Sequence, residues 1–170
     1  MANTYVLIAS NTLSSAAASV TFSAIPATYT DLVLRWSARS TNATVDDGGY
    51  VQLNETTYTT TNYSQTVLQW YGTTPSSYRQ STPIYFVLPG SSATSNSFGS
   101  SELYIPNYAG SRNKPSSLFS IAESNTASVY EHIAANLKSN TTAISSITAL
   151  MTSGNFASGS SFFLYGIKNS

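Results

Sequence analysis

The chain has no cysteine, so neither a disulfide framework nor thiol chemistry can contribute to its fold or reactivity. It carries one histidine, His132. A Ser-His-Asp arrangement would therefore have a single possible base, and no GxSxG turn presents a serine to it. Charge is scarce as well. Asp, Glu, Lys and Arg make up 8% of 170 residues, seven basic against seven acidic, where an ordinary soluble domain carries about 25%. Such a balance leaves no electrostatic footprint for nucleic acid or for an anionic membrane. No apolar run approaches the ~20 residues of a membrane-spanning helix. Phosphate-loop and dinucleotide fingerprints are missing too, and no cofactor is expected.

What the chain does have is hydroxyl. Serine and threonine fill nearly a third of it, and asparagine is common. A surface solvated by hydroxyls and amides suits either an extracellular life or a subunit of a large assembly. The length fits one domain, residues 1–170, with a core that stands without staples. The opening "MANTYVLIASNTLSSAAASV" lacks the basic start of a signal peptide, and its apolar segment is short. It reads as a first strand.

Short runs of Val, Ile, Leu, Phe, Tyr and Thr alternate with clusters of Ser, Asn, Gly and Pro along the whole chain, the pattern of an all-β sandwich or barrel. "YTDLVLRWSARS" is the clearest case. Leu32, Leu34, Trp36 and Ala38 share one face, and Val33, Arg35, Ser37 and Arg39 the other. "VDDGGYVQLNE" reads as an Asp-Gly turn entering a strand, "SQTVLQWYG" places Val67 and Tyr71 opposite Leu68 and Trp70, and "GSSATSNSFGSS" reads as a flexible loop. "ASVYEHIAANLK" has apolar residues at helical spacing, Val129, Ile133 and Leu137, yet its β-branched and aromatic start favours a strand. Nine to eleven short strands are expected. They form an antiparallel β-sandwich of jelly-roll type in a single domain.

The chemical candidates are few. Asp46-Asp47 before Gly48-Gly49 offers a Ca²⁺ loop with Asn54 or Glu55, but without EF-hand spacing the turn is the better reading and no metal is expected. Two carboxylates for glycoside hydrolysis would have to come from Asp31, Asp46, Asp47, Glu55, Glu102, Glu123 and Glu131, and sequence brings no two of them together. No catalytic residue is therefore assigned. Twelve tyrosines and two tryptophans suit stacking on glycans or contact with protein, the second being favoured. The candidate interface comprises Trp70 and Tyr71, which face opposite ways so that one of them is expected at the surface, and the basic loop "NYAGSRNKPS" with Arg112 and Lys114 beside Tyr104 and Tyr108. N-x-S/T sequons at Asn42, Asn54, Asn62 and Asn140 are expected by chance in so hydroxyl-rich a chain.

Three stretches, "YVLIASNTLSSAAASVTFSAIPATYTDLVLRWSARS", "LYIPNYAG" and "GNFASGSSFFLYGIK", resemble a group of small all-β virion proteins of tailed bacteriophages. The similarity runs over nearly the whole chain, with residues 40–97 the least characteristic. The resemblance implies a structural role without catalytic residues, and commonly a homotrimer. Two roles follow from it. One is a decoration (cement) protein on the outer capsid surface, made in the host cytoplasm and bound to the major capsid protein. The other is a tail-fibre or spike module that reads a host surface glycan. The missing stalk favours cement. The closing strand "SSFFLYGIKNS", bulky on both faces, is expected near the centre of a sheet and beside the first strand.

Overall fold

The computed structural model describes residues 4–125 and 129–168, which fold into twelve antiparallel strands and, among the described residues, no helix. In chain order they are β1 (Tyr5–Thr12), β2 (Ser19–Phe22), β3 (Asp31–Ala38), β4 (Asp46–Leu53), β5 (Tyr63–Tyr71) and β6 (Thr74–Gln80). They continue as β7 (Ile84–Pro89), β8 (Gly99–Ile105), β9 (Lys114–Ala122), β10 (Tyr130–Lys138), β11 (Ile147–Met151) and β12 (Ser161–Ile167). Eight of these form two facing four-stranded sheets, ordered β1-β12-β3-β8 and β2-β11-β4-β7. That is the double Greek key of a jelly roll. Two inserted strand pairs, β5–β6 and β9–β10, lengthen the first sheet to β1-β12-β3-β8-β9-β10-β5-β6.

The core lies between the two sheets and follows from strand alternation. Leu32, Leu34 and Trp36 of β3 meet Val51 and Leu53 of β4, Ile84, Phe86 and Leu88 of β7, and Phe162 and Leu164 of β12. Trp36 stands edge-on to Phe86 with ring centroids 5.2 Å apart, and Phe156 bridges Phe86 to Phe162. Edge-to-face contacts such as Trp36–Phe86 and Phe156–Phe162, and the stacked Phe86–Phe156 pair, add to the burial of their area. The closing strand pairs with β1 on one side and β3 on the other, Tyr5 lying across from Ile167. Gly166 is required there because a Cβ would overlap the ring of Tyr29.

Beyond β8 the lengthened sheet curls past β7 onto the outer side of the smaller sheet. Ser120 of β9 brackets the backbone of Val87, accepting from its N–H and donating to its carbonyl. Tyr85 of β7 lies 5.4 Å from His132 of β10, ring to ring. This second interior is polar. Lys138, buried in it, forms an ion pair with Glu55 at 2.6 Å and donates to Leu53 O and to the Tyr63 hydroxyl.

Several expectations change. The Asp-Gly stretch is the start of β4 rather than a turn, and Gly48 serves close packing, since a Cβ would overlap the Tyr85 hydroxyl. Residues 74–80 form an additional edge strand, β6. The loop expected to be flexible is held by Arg39. Its guanidinium, on a buried residue, donates to the carbonyls of Ser91, Ala93, Thr94 and Ser97. The segment with helical spacing is, as expected, a strand, β10, its alternation placing His132 and Ala134 inward and Ile133 and Ala135 outward.

Candidate interaction surface

The outward face of the eight-stranded sheet carries the least ordinary surface of the molecule. Phe119 on β9, Ile133 on β10 and Leu68 on β5 stand directly across from one another in the ladder, and each leaves over 40% of its area to solvent. Scattered apolar residues on a surface need no explanation, but three in register on adjacent strands, about 4.8 Å apart, make one continuous ridge. The next row, Ile121, Glu131 and Trp70, widens it with two half-buried apolar side chains. A recess of about 200 Å³ at that end is lined by Trp70, Tyr130, Glu123 and Glu131.

On the other half of the same face, β12, β3 and β8 form a trough of about 440 Å³. Its floor is a row of hydroxyls, Ser161, Ser37 and Ser100, paired in register across the three strands. The parallel row reads Phe163, Arg35, Glu102 and Phe119, so a ring stands at each end of a charged pair. Arg35 Nε donates to Glu102 Oε2 at 2.6 Å. The rings of Tyr5 and Tyr165 lie 5.6 and 6.0 Å from the guanidinium. The bond to Glu102 raises the Arg35 pKa above its ordinary value.

Of the six residues expected at an interface, two are interior. Tyr108 is fully buried, its hydroxyl donating to Pro26 O and accepting from the Tyr29 N–H. Lys114 is equally enclosed, its ammonium donating to the carbonyls of Gly110, Arg112 and Thr141, and burial lowers its pKa. Neither side chain can meet a partner; both hold the 107–114 loop from inside. Arg112 is exposed on that loop. Tyr104 is half-buried and donates to Asp31 at 3.0 Å. Trp70 borders the ridge, whereas Tyr71 sits at the sheet end, 4.6 Å from Tyr130. The two therefore form no shared platform. The ridge residues were legible as the second apolar parity of β5, β9 and β10: Phe119 follows Leu118, Leu68 follows Val67 and Ile133 precedes Ala134, so an apolar side chain emerges on both faces.

His132 and the residues considered for a metal are each engaged in structural contacts. His132 is wholly buried, its Nε2 2.6 Å from Gln69 Oε1, and desolvation pushes its pKa down to about 4. Among the described residues no hydroxyl or carboxylate shares a hydrogen bond with it. Asp47 accepts from Ser40, Ser153 and the Gly48 N–H, while Glu55 serves Lys138. Asn54 binds the backbone of Ser145 and Ser146. The residues considered for Ca²⁺ are thus separated along β4, and no group of three or more His, Asp or Glu side chains among the described residues is placed to hold a metal. Compared with models of known families and with curated proteins, the chain matches none.

Proposed function

We propose that the chain is a non-enzymatic structural protein of a tailed-bacteriophage virion, a cement protein that docks on assembled capsid subunits as a homotrimer. The observation that carries this reading is the Phe119–Ile133–Leu68 ridge, a continuous apolar surface on a chain with little charge to steer or repel a neighbour. Interfaces draw their energy from a few buried apolar and aromatic anchors, with a polar rim that excludes water. Here the rim is supplied by hydroxyls and amides, which suit a contact made once and kept. The sequence resemblance to phage virion proteins supplies the partner, the major capsid protein, and the location on the outer shell.

Incubation with undecorated heads tests it. Stoichiometric binding, saturating at a multiple of three copies per site, is expected. The double variant Leu68→Ser/Ile133→Ser should stay folded with only a modest drop in melting temperature, because both side chains leave over 40% of their area to solvent, yet lose head binding. Failure of the native chain to bind heads, with binding to host cells instead, would overturn the proposal in favour of a fibre module.

A further inference from the structure

The trough on β12, β3 and β8 has a chemistry that the ridge lacks. We infer that it is a binding site for a neutral saccharide, with Phe119 and Phe163 as its walls and the Arg35–Glu102 pair as its reader.

The floor hydroxyls of Ser37, Ser100 and Ser161 have no protein partner among the described residues and face solvent. Arg35 spends only its Nε on Glu102, leaving its two terminal amino groups without a described acceptor, and Glu102 keeps its second oxygen. The pair therefore presents fixed donors beside a fixed acceptor. A sugar hydroxyl is both donor and acceptor, and adjacent hydroxyls on a ring match such a pair. The guanidinium is positioned in advance by Tyr5, Tyr165 and Glu102, so little of its freedom is lost on binding. Phe119 and Phe163 are separated by three strand spacings, about 14 Å, which suits a short oligosaccharide laid across the serines between two apolar rings. The volume of about 440 Å³ falls within the range of small-ligand sites.

Other ligand classes fit less well. The two charges cancel, which disfavours phosphate, nucleic acid or an isolated ion. A peptide strand adds to a sheet through free backbone groups at an edge. Here β12, β3 and β8 are each paired on both sides, so no such groups are available. An acyl chain would meet a floor of hydroxyls. Sheet twist turns successive strands by about 20–25°, so the trough and the centre of the ridge do not share one outward direction. Phe119 belongs to both, so the trough is separated from the ridge by the variants at Leu68 and Ile133 rather than by Phe119.

The test uses the full chain and a panel of neutral hexoses, N-acetylhexosamines and their disaccharides, each titrated to tens of millimolar and followed by amide chemical shifts. At least one should bind with millimolar affinity, with shifts at Ser37, Ser100, Glu102 and Phe119. Phe119→Ala and Glu102→Gln, both at exposed or half-exposed positions, should each weaken it roughly tenfold with melting unchanged. Leu68→Ser/Ile133→Ser should leave sugar binding intact, which separates this site from the docking ridge. No shifts at those residues with any sugar, or affinity indifferent to both trough variants, would overturn the inference. So would loss of head binding on Glu102→Gln in a chain that binds no sugar, which would make the trough a protein contact.

Discussion

His132 Nε2 lies 2.6 Å from Gln69 Oε1, directly across the β10–β5 ladder, in a site from which water is excluded. The imidazole donates to the amide oxygen and stays neutral. Around it stand the rings of Tyr78, Tyr85 and Tyr130, none of which supplies a negative charge at neutral pH to offset protonation.

That environment sets an acid limit on stability. Burial lowers the folded pKa to about 4 from an ordinary 6.5, so the unfolded chain takes up the proton first as pH falls. The contribution is fully present above pH 6.5, declines between 6.5 and about 4, and levels off below. Over that window it amounts to about 3 kcal/mol. Urea denaturation across this range should show the decline in the native chain and a flatter profile in His132→Gln. Parallel curves for the two proteins would contradict the assignment.

The Lys138–Glu55 pair is lopsided. The lysine side chain is 4% exposed and the glutamate 27%, so the ammonium carries most of the desolvation cost. Removing the carboxylate leaves that charge buried with the Leu53 carbonyl and the hydroxyl and ring of Tyr63 as its partners among the described residues. Removing the lysine returns a partly solvated glutamate to water. Glu55→Gln should therefore cost about 3 kcal/mol, and Lys138→Met distinctly less. The comparison is made by chemical denaturation at pH 7. A larger loss for Lys138→Met would show that packing of the lysine stem dominates instead.

Arg39 acts as a clamp on the segment between β7 and β8, its planar fork spread over four carbonyl oxygens. An ammonium has three donors and no fork, so lysine cannot reproduce the arrangement. Arg39→Lys should lower stability by about 1–3 kcal/mol and open the 91–97 loop to limited proteolysis before the domain unfolds. A native-like cleavage pattern in that variant would mean the loop is held by its own turns.

These buried cations mark where a sequence stops being legible. The alternation of β3 displays its core face directly, because Leu32, Leu34, Trp36 and Ala38 need only period two to be placed. The strand identity of β10 was legible from its β-branched and aromatic start. By contrast, Arg39, Lys114 and Lys138 look like solvent residues until carbonyls converge on them, from segments distant in sequence for Arg39 and Lys138 and mainly from its own loop for Lys114. Their burial is a property of the loops that surround them. Strand β6 was illegible for the opposite reason. As an edge strand it pairs only with β5 and has little to bury, so "TPSSYRQ" carries no apolar alternation and has a proline that only an edge tolerates. The inserted strand pairs raise a further difficulty, since an apolar residue on each face of β9 reads equally as a strand covered on both sides or as one with a partner still to come.

The closing strand gives the strictest test of the fold. β12 is held by ladders on both sides, to β1 and to β3, and contributes Phe162 and Leu164, both wholly buried, to the core. Deleting residues 162–170 would remove these side chains and leave the facing edges of β1 and β3 without hydrogen-bond partners. Truncating a single buried Phe or Leu costs about 3–5 kcal/mol, against a total stability of about 5–15 kcal/mol for a domain. The shortened chain should not fold. Its expression as a soluble protein that melts cooperatively would refute the placement of β12 between its two neighbours.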